Sequence, residues 1–252
     1  MIGAFQGSRG EFTLEHISDL SQRFIYEAYR NSIQVSLVTA VVGGAFGFLL
    51  AYSVTLGGVP AFARALVITF AGVASNFAGV PLAFAFISTL GRTGVITGLF
   101  KDAGIDLYRQ GFDLYTFSGL SLTYLYFQFP LMILIMAPAL DGLKREWREA
   151  SENLGATGLQ YWRLVALPIL LPSILGTMVL LFGNAFGAYA TAYALTGGTL
   201  DLVTLLIGTQ IRGNVLYDPG LGYALAVGMV VIMAISIALY SWLQRRSERW
   251  LR

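Results

Sequence analysis

The sequence predicts an all-helical integral membrane protein, because its composition is strongly apolar and it contains five long apolar segments. Hydrophobic residues make up 56% of the 252-residue chain and charged residues only 12%, whereas a soluble domain carries about 25% charged residues. The mean hydropathy is +0.68. An apolar run of about 20 residues is long enough to cross a bilayer as a helix. Five such runs are present, at 33–56, 65–89, 115–140, 168–195 and 221–243.

Two further segments are predicted to lie outside these spans. Residues 202–211 are too few to cross a bilayer and include Gly208, so we expect them to lie at the interface or to re-enter. Residues 1–30 are mixed and polar, with no cleavable signal peptide evident. They form either a solvated lead-in or an amphipathic surface helix. The apolar face of that helix would consist of Leu14, Ile17, Leu20, Phe24 and Ile25.

Charge predicts the orientation of the chain. Five spans place the two ends on opposite sides of the membrane. With the C-terminus inside, the inner segments carry nine basic and five acidic residues, and the outer segments seven and nine. This excess of Lys and Arg on one side follows the positive-inside rule. We therefore predict one transmembrane domain over 1–252, with 1–30 extracytoplasmic, 141–167 cytoplasmic, and a basic cytoplasmic tail at 244–252 containing Arg245, Arg246, Arg249 and Arg252.

The long charged segment between the third and fourth spans has the pattern of a helix–glycine–helix elbow. An apolar stripe at three- and four-residue steps predicts the first helix. Gly155 is placed to end it in a left-handed conformation. Thr157 and Gln160 have capping-box spacing and predict the start of a second helix, ahead of Pro168 and Pro172. The stripe consists of Leu143, Trp147, Ala150 and Leu154.

This elbow resembles the EAA loop of the permease subunits of type I ABC importers. The segment EASENLGATGLQYWRLVALPILLPSI, residues 149–174, follows the family pattern of E-A-A, three residues, G-A, an aromatic stretch, L-P and a second proline. Ser151 replaces the usual second alanine, and Trp162 stands where phenylalanine is common. The resemblance extends from about Phe12 to the C-terminus. The matching residues are Glu149, Ala150, Gly155, Ala156, Leu167, Pro168 and Pro172.

The resemblance implies that the elbow is a coupling helix seated in a groove of an ATPase. Glu149 would anchor it by an ion pair or hydrogen bond, and Gly155 would permit a sharp turn and close approach. The alternative is an ordinary cytoplasmic loop helix. The residues predicted to take part in coupling are Trp147, Glu149, Ala150, Ser151, Leu154, Gly155, Ala156, Thr157 and Pro168.

The remaining partners are also implied by the resemblance. They are an ATPase dimer that holds ATP and Mg, a second identical or related permease subunit, and an extracytoplasmic solute-binding protein, at the inner membrane of a bacterium. The chain itself has no G-x-x-x-x-G-K-[ST] phosphate loop and no nucleophile–base pair. It has no cysteine, one histidine and a net charge of +2. We therefore predict a non-enzymatic subunit that binds no cofactor, no metal and no nucleic acid.

Polar residues inside the spans allow two interpretations. They either form interhelical hydrogen bonds or line the translocation path. The candidates for the path are Ser75, Asn76, Tyr124, Gln128, Asn184 and Tyr189. Pro81 and Pro130 are expected to interrupt two helices. The motifs Gly43-x-x-x-Gly47 and Gly183-x-x-x-Gly187 are typical of close helix packing, within the chain or at a subunit interface.

The substrate class is predicted from the resemblance alone. The segments EFTLEHISDL, YRNSIQVSL and LVTLLIGTQIRGNVLYDPGLGYALA look most like the polyamine (spermidine/putrescine) branch, with ferric iron, thiamine and aminoethylphosphonate importers as alternatives. Many related permeases carry a further helix before such a segment, so we expect this chain to represent the family's core or a shortened start. A secondary transporter would need intramembrane ionisable residues or an inverted repeat, and neither is visible. A non-transporting scaffold for an ATPase is the other rival.

Overall fold

A computed structural model describes residues 2–5, 11–212 and 218–248, with only the backbone described at 2–3 and 246–248. These residues form α-helices, short 3-10 helices at Ile2–Phe5 and Asp19–Ser21, a π-helical turn at Trp162–Ala166, and no β-strand. The α-helices are α1 Glu15–Ser18, α2 Arg23–Leu56, α3 Ala61–Asn76, α4 Val80–Leu90, α5 Val95–Asp102, α6 Phe117–Asp141, α7 Arg145–Asn153, α8 Gly158–Tyr161, α9 Leu167–Phe186, α10 Tyr189–Thr196, α11 Val203–Arg212 and α12 Pro219–Glu248.

The chain divides into two compact units. Unit 1 comprises the described residues of Met1–Val38, Phe77–Tyr124 and Gly183–Ile235, and unit 2 those of Thr39–Asn76, Leu125–Phe182 and Ser236–Arg252. Helices α2, α6, α9 and α12 contribute residues to both units.

Unit 1 is held together by polar contacts between its helices as well as by apolar packing. The Gly79 amide, just before α4, donates to the Thr191 hydroxyl of α10 over 2.8 Å. The Tyr29 hydroxyl of α2 donates to the Leu225 carbonyl of α12 over 2.5 Å. The first bond satisfies an amide at the start of a helix, where helix hydrogen bonding leaves the N–H without a partner. The second gives a carbonyl inside α12 an additional donor.

Unit 2 packs α2 closely against α6 through the first small-residue motif. A Cβ added at Gly43 would lie 2.6 Å from Gln128 Cβ, and one added at Gly47 would lie 2.6 Å from Met132 Cβ. Real Cβ atoms do not approach this closely, so both positions require glycine. The first motif therefore serves packing within the chain. In unit 1, Gly183 likewise faces Met233 of α12, whose Cε would lie 2.6 Å from an added Cβ.

Five helical segments are long and apolar enough to cross a membrane, which confirms the predicted number. Three of them correspond closely to predicted spans, and the second and fourth differ. The segments are Arg23–Leu56, Val80–Asp102, Phe117–Asp141, Gly158–Phe186 and Pro219–Arg245, with Ala61–Asn76 as a shorter apolar helix.

The predicted continuous span at 65–89 is wrong, because the helix is broken between α3 and α4. Gly79 takes a left-handed backbone with φ of 76°, and Pro81 follows in the first turn of α4, where its missing N–H is tolerated. The Asn76 side chain donates to the Gly72 carbonyl over 2.9 Å and so closes the end of α3. Pro81 therefore marks a helix start.

The predicted span at 168–195 is also broken, at Gly187 and Ala188, between α9 and α10. The Tyr124 hydroxyl of α6 donates to the Ala188 carbonyl over 2.8 Å and satisfies a group released by this break. The short segment predicted at 202–211 forms a separate helix, α11, and its position at the interface stays a prediction. Pro130 does not interrupt its helix, because α6 continues through both Pro130 and Pro138.

The amphipathic surface helix predicted near the N-terminus is not formed. Gln22 has extended backbone torsions, with ψ of 141°, and separates α1 and the following 3-10 turn from α2. Phe24 and Ile25 therefore belong to α2, in which Ile25 is fully buried while Phe24 is exposed. Arg249 and Arg252 of the predicted basic tail, the side chain of Arg246, and part of the polyamine-like segment (213–217) lie outside the described residues.

Gly47→Val should destabilise the protein, because the added atoms would overlap Met132 and force α2 away from α6. Overpacking of this kind costs about 1–3 kcal/mol. Thermal unfolding in detergent, followed by fluorescence, should show a lower midpoint. Gly72→Val is the matched control, since Gly72 is also helical but an added Cβ there meets nothing within 4 Å. Equal midpoints for the two variants would contradict the packing role.

Candidate functional site

The first helix of the elbow ends in the geometry that the sequence predicts. Gly155 follows α7 with φ of 76°. The Gly155 amide donates to the Glu152 carbonyl over 2.9 Å, and the Ala156 amide to the Ser151 carbonyl over 3.0 Å. This pair of bonds is a Schellman motif, which satisfies carbonyls at the end of a helix. The chain reverses within two residues, and a side chain at position 155 would be strained by its backbone.

The second helix begins with the predicted capping box. The Gln160 amide donates to the Thr157 hydroxyl over 3.3 Å, and the Thr157 amide donates to Gln160 Oε1 over 2.7 Å. After the four residues of α8, the backbone widens into the π-helical turn Trp162–Ala166 before α9. Pro168, the second residue of α9, has no N–H to give to the Leu164 carbonyl inside that turn. The sequence by itself does not predict this turn.

The charged face of α7 is held by exposed ion pairs. Arg145 contacts Glu149 over 2.8 Å, and Arg148 contacts Glu152 over 2.9 Å, both at i,i+4 spacing. Such pairs contribute only about 0.2–0.5 kcal/mol each. Glu149 can therefore exchange its bond to Arg145 for one to a partner protein at small cost.

Three leucines of the elbow point to the outside of the chain, whereas Trp147 is half-buried. Leu154 is 88% exposed, and Leu159 and Leu164, which the sequence analysis missed, are 80% and 69% exposed. Both lie in the apolar stretch 158–167, in which the sequence pattern does not separate exposed from buried positions. Ser151 is buried instead, and its hydroxyl donates to the Arg148 carbonyl over 2.7 Å. A small residue is required there, as the alanine of the family pattern also provides.

Both ends of the elbow are attached to other helices of unit 2. Asp141, where α6 ends, forms an ion pair with Arg64 of α3. Trp162, where the π-helical turn begins, packs edge-on against Tyr52 of α2, with ring centroids 4.9 Å apart. The elbow is thus anchored at its entry and at its exit, while its turn at Gly155 has open space around it.

The six candidates for the translocation path differ in burial and belong to both units. Tyr124 and Gln128 are buried, at 2% and 0% exposure. Both make bonds between helices: Tyr124 to Ala188, and Gln128 Nε2 to the Leu181 carbonyl over 3.0 Å. Their burial favours the interhelical alternative. Asn76 and Asn184 are exposed, and Ser75 and Tyr189 are half-buried. For these four residues, a role in the path remains a prediction.

Tyr189 lines a cavity in unit 1 that the sequence by itself does not predict. It measures about 590 Å³ and lies between α10 and α11. Tyr189 stacks on Tyr193, with ring centroids 5.6 Å apart and planes at 14°. Among the described residues, no group of three or more His, Cys, Asp or Glu side chains is arranged to hold a metal ion.

Comparisons with known proteins show which family the chain matches. Residues 45–252 match the family described as "Binding-protein-dependent transport system inner membrane component". A solved bacterial ABC transporter involved in the import of alginate has a chain of similar fold, with a TM-score of 0.77 and 17% identity, covering 97% of this chain and 87% of that one.

Curated relatives do not confirm the predicted polyamine branch. A probable sulfate transport system permease protein of Nephroselmis olivacea is 26% identical, covering 99% of this chain and 86% of that protein. A spermidine/putrescine transport system permease protein of Haemophilus influenzae is 30% identical but covers only 60% of this chain and 52% of that protein.

The match over 45–252, the helical fold and the elbow lead to one conclusion. The chain belongs to the inner membrane components of binding-protein-dependent transport systems, the permease subunits of ABC importers.

Proposed function

We propose that this permease subunit carries a small oxyanion such as sulfate across the membrane, and that its elbow at 141–167 couples this step to ATP hydrolysis on a partner. The observation that carries the coupling role is the anchored elbow itself. Its two ends are attached within unit 2, while its turn presents the exposed Leu154 and α7 presents the weakly paired Glu149.

The elbow has the chemistry of a helix that docks in a groove. A docking helix needs apolar anchors on one face and a few polar groups that fix its register. Leu154 is available as an anchor because it is almost fully exposed. Glu149 is available as a polar contact because its present partner, Arg145, is itself exposed to solvent. The open space around Gly155 allows the partner surface to approach the backbone.

Membership of the family supports the following proposal for the other components. ATP and Mg bind to an ATPase dimer at the cytoplasmic elbow. A second permease subunit completes the pore, and an extracytoplasmic binding protein delivers the solute. In this arrangement the C-terminus is cytoplasmic, in agreement with the positive-inside distribution of charge.

The choice of sulfate rests on the relatives. The permease named for sulfate transport matches nearly the whole chain, whereas the one named for spermidine and putrescine matches three fifths of it. No Asp, Glu, Lys or Arg lies within 33–56, 115–140, 168–195 or 221–243. By charge, these segments favour neither a polyamine nor sulfate.

Glu149→Lys should weaken binding of the ATPase by about tenfold or more and reduce uptake accordingly. A hydrogen bond to a charged group contributes about 1.5–3 kcal/mol, and about 1.4 kcal/mol corresponds to a factor of ten in affinity. ATPase co-purification and uptake would measure the effect. Glu152→Lys is the matched control, because it breaks an equivalent i,i+4 pair on the same helix. Equal losses in both variants would argue against a specific contact at Glu149.

Gly155→Val should reduce uptake by about 5- to 30-fold, because a side chain in the left-handed region costs roughly 1–2 kcal/mol and opposes the turn. Gly158→Val is the control, since Gly158 has no positive φ and an added Cβ there has open space. Membrane levels of both variants should match wild type. Wild-type uptake by Gly155→Val would rule out a need for this turn.

The function as a whole is tested by purifying the tagged chain in mild detergent from its own host and reconstituting the complex with its binding protein. We expect a P-loop ATPase to co-purify and ATP-dependent uptake of ³⁵S-sulfate to exceed that of labelled spermidine. ATP-dependent uptake of spermidine but not sulfate would overturn the substrate. Absence of any ATPase from well-folded protein would overturn the coupling role.

A further inference from the structure

The cleft between α10 and α11 consists of two adjoining cavities with shared walls. The larger measures about 590 Å³ and the smaller about 330 Å³. Tyr189, Gly208 and Arg212 line both cavities. The aromatic pair Tyr189–Tyr193 forms one side of the larger cavity. A concave site of this size with a few convergent polar groups is typical of a small-ligand site.

The wall formed by α11 is held in place independently of any ligand. The Val203 amide, at the start of α11, donates to the buried Ser32 hydroxyl of α2 over 2.9 Å. Asn31 donates to the Asp201 carbonyl over 3.2 Å. Both contacts lie within unit 1. The cleft is therefore preformed on this side, which lowers the cost of ordering it when a ligand binds.

Gly208 determines the position of the Tyr189 ring. A Cβ added at Gly208 would lie 2.8 Å from Tyr189 Cε2 and 3.1 Å from the Tyr189 hydroxyl oxygen. The ring thus rests directly on the backbone of α11. A larger residue at position 208 would push the ring away from α11, because the end of a side chain can move more easily than backbone.

Arg212 gives the cleft its charge. It is exposed at the end of α11, and among the described residues no carboxylate forms an ion pair with it. The smaller cavity contains no other charged side chain. Asp201 lines only the larger cavity and precedes α11, whose ten residues rise about 15 Å. The two charges are thus at opposite ends of the helix and do not neutralise each other.

We propose that the α10–α11 cleft is a substrate subsite, in which the Arg212 guanidinium and the hydroxyls of Tyr189 and Tyr193 bind a small oxyanion such as sulfate. A guanidinium has five N–H donors and no acceptor, and its fork matches an oxyanion. Tyrosine hydroxyls add donors without adding charge. This inference rests on the proposed function, since it specifies where this chain meets the solute. Arg212 and the tyrosines are then the groups that select an anion over a cation.

The test measures equilibrium binding of ³⁵S-sulfate to the purified permease–ATPase complex without its binding protein, and ATP-dependent uptake with it. Wild-type complex should bind sulfate saturably. Arg212→Ala should weaken binding at least tenfold, Arg212→Lys by less, and Tyr193→Phe by several-fold. Gly208→Ala should weaken binding by displacing Tyr189. Arg23→Ala, which removes a highly exposed arginine of the same unit, is the control and should bind as wild type does.

The outcomes separate this inference from the proposed function. Sulfate uptake by wild type, together with unchanged binding and uptake in both Arg212→Ala and Tyr193→Phe, would overturn the subsite and leave the function standing. Sulfate uptake without saturable sulfate binding by the wild-type complex would also overturn the subsite and leave the function standing. No sulfate uptake by wild type would overturn both. Arginine at a helix C-terminus also stabilises the helix. If Arg212→Ala lowered both the unfolding temperature and the affinity for sulfate while Tyr193→Phe bound sulfate as wild type does, Arg212 would have a structural role alone.

Discussion

The satisfaction of backbone hydrogen bonds in an apolar environment is the constraint on which this structure depends. A membrane offers no water to a released N–H or C=O, so each break in a helix needs a partner from elsewhere in the chain. At the break before α4, the Gly79 amide donates to Thr191. At the break before α10, the Ala188 carbonyl accepts from Tyr124. These side chains let α4 and α10 begin where they do, and α10 forms one wall of the α10–α11 cleft.

Glycine has a different physical use in each part of the molecule. At Gly43 and Gly47 it allows two helices to approach until the side chains of Gln128 and Met132 touch the backbone of α2. At Gly208 it allows the Tyr189 ring to lie on α11. At Gly155 the surroundings are open, and only the positive φ requires glycine. The same residue type therefore provides packing, ring placement and chain reversal.

In the proposed mechanism, coupling to the ATPase and binding of the solute are assigned to different units. The elbow lies in unit 2 and the cleft in unit 1, and four helices contribute residues to both. In the proposed mechanism the partner acts on the elbow, the solute occupies the cleft, and the continuous helices are the elements through which one affects the other. Weak ion pairs on α7 suit this role, because they hold the helix without competing strongly with a partner.

Local sequence determined the turn of the elbow and the start of its second helix. The Schellman turn at Gly155 and the capping box of Thr157 and Gln160 involve residues at most five apart, so their spacing is readable without a fold. Composition likewise determined the helical class and the number of apolar segments. The breaks at 77–79 and 187–188, the burial of Tyr124 and Gln128, and the cleft lined by Arg212 were decided by tertiary structure. Each depends on contacts between residues far apart in the chain. An apolar segment has the same sequence pattern whether or not a distant side chain stabilises a break within it.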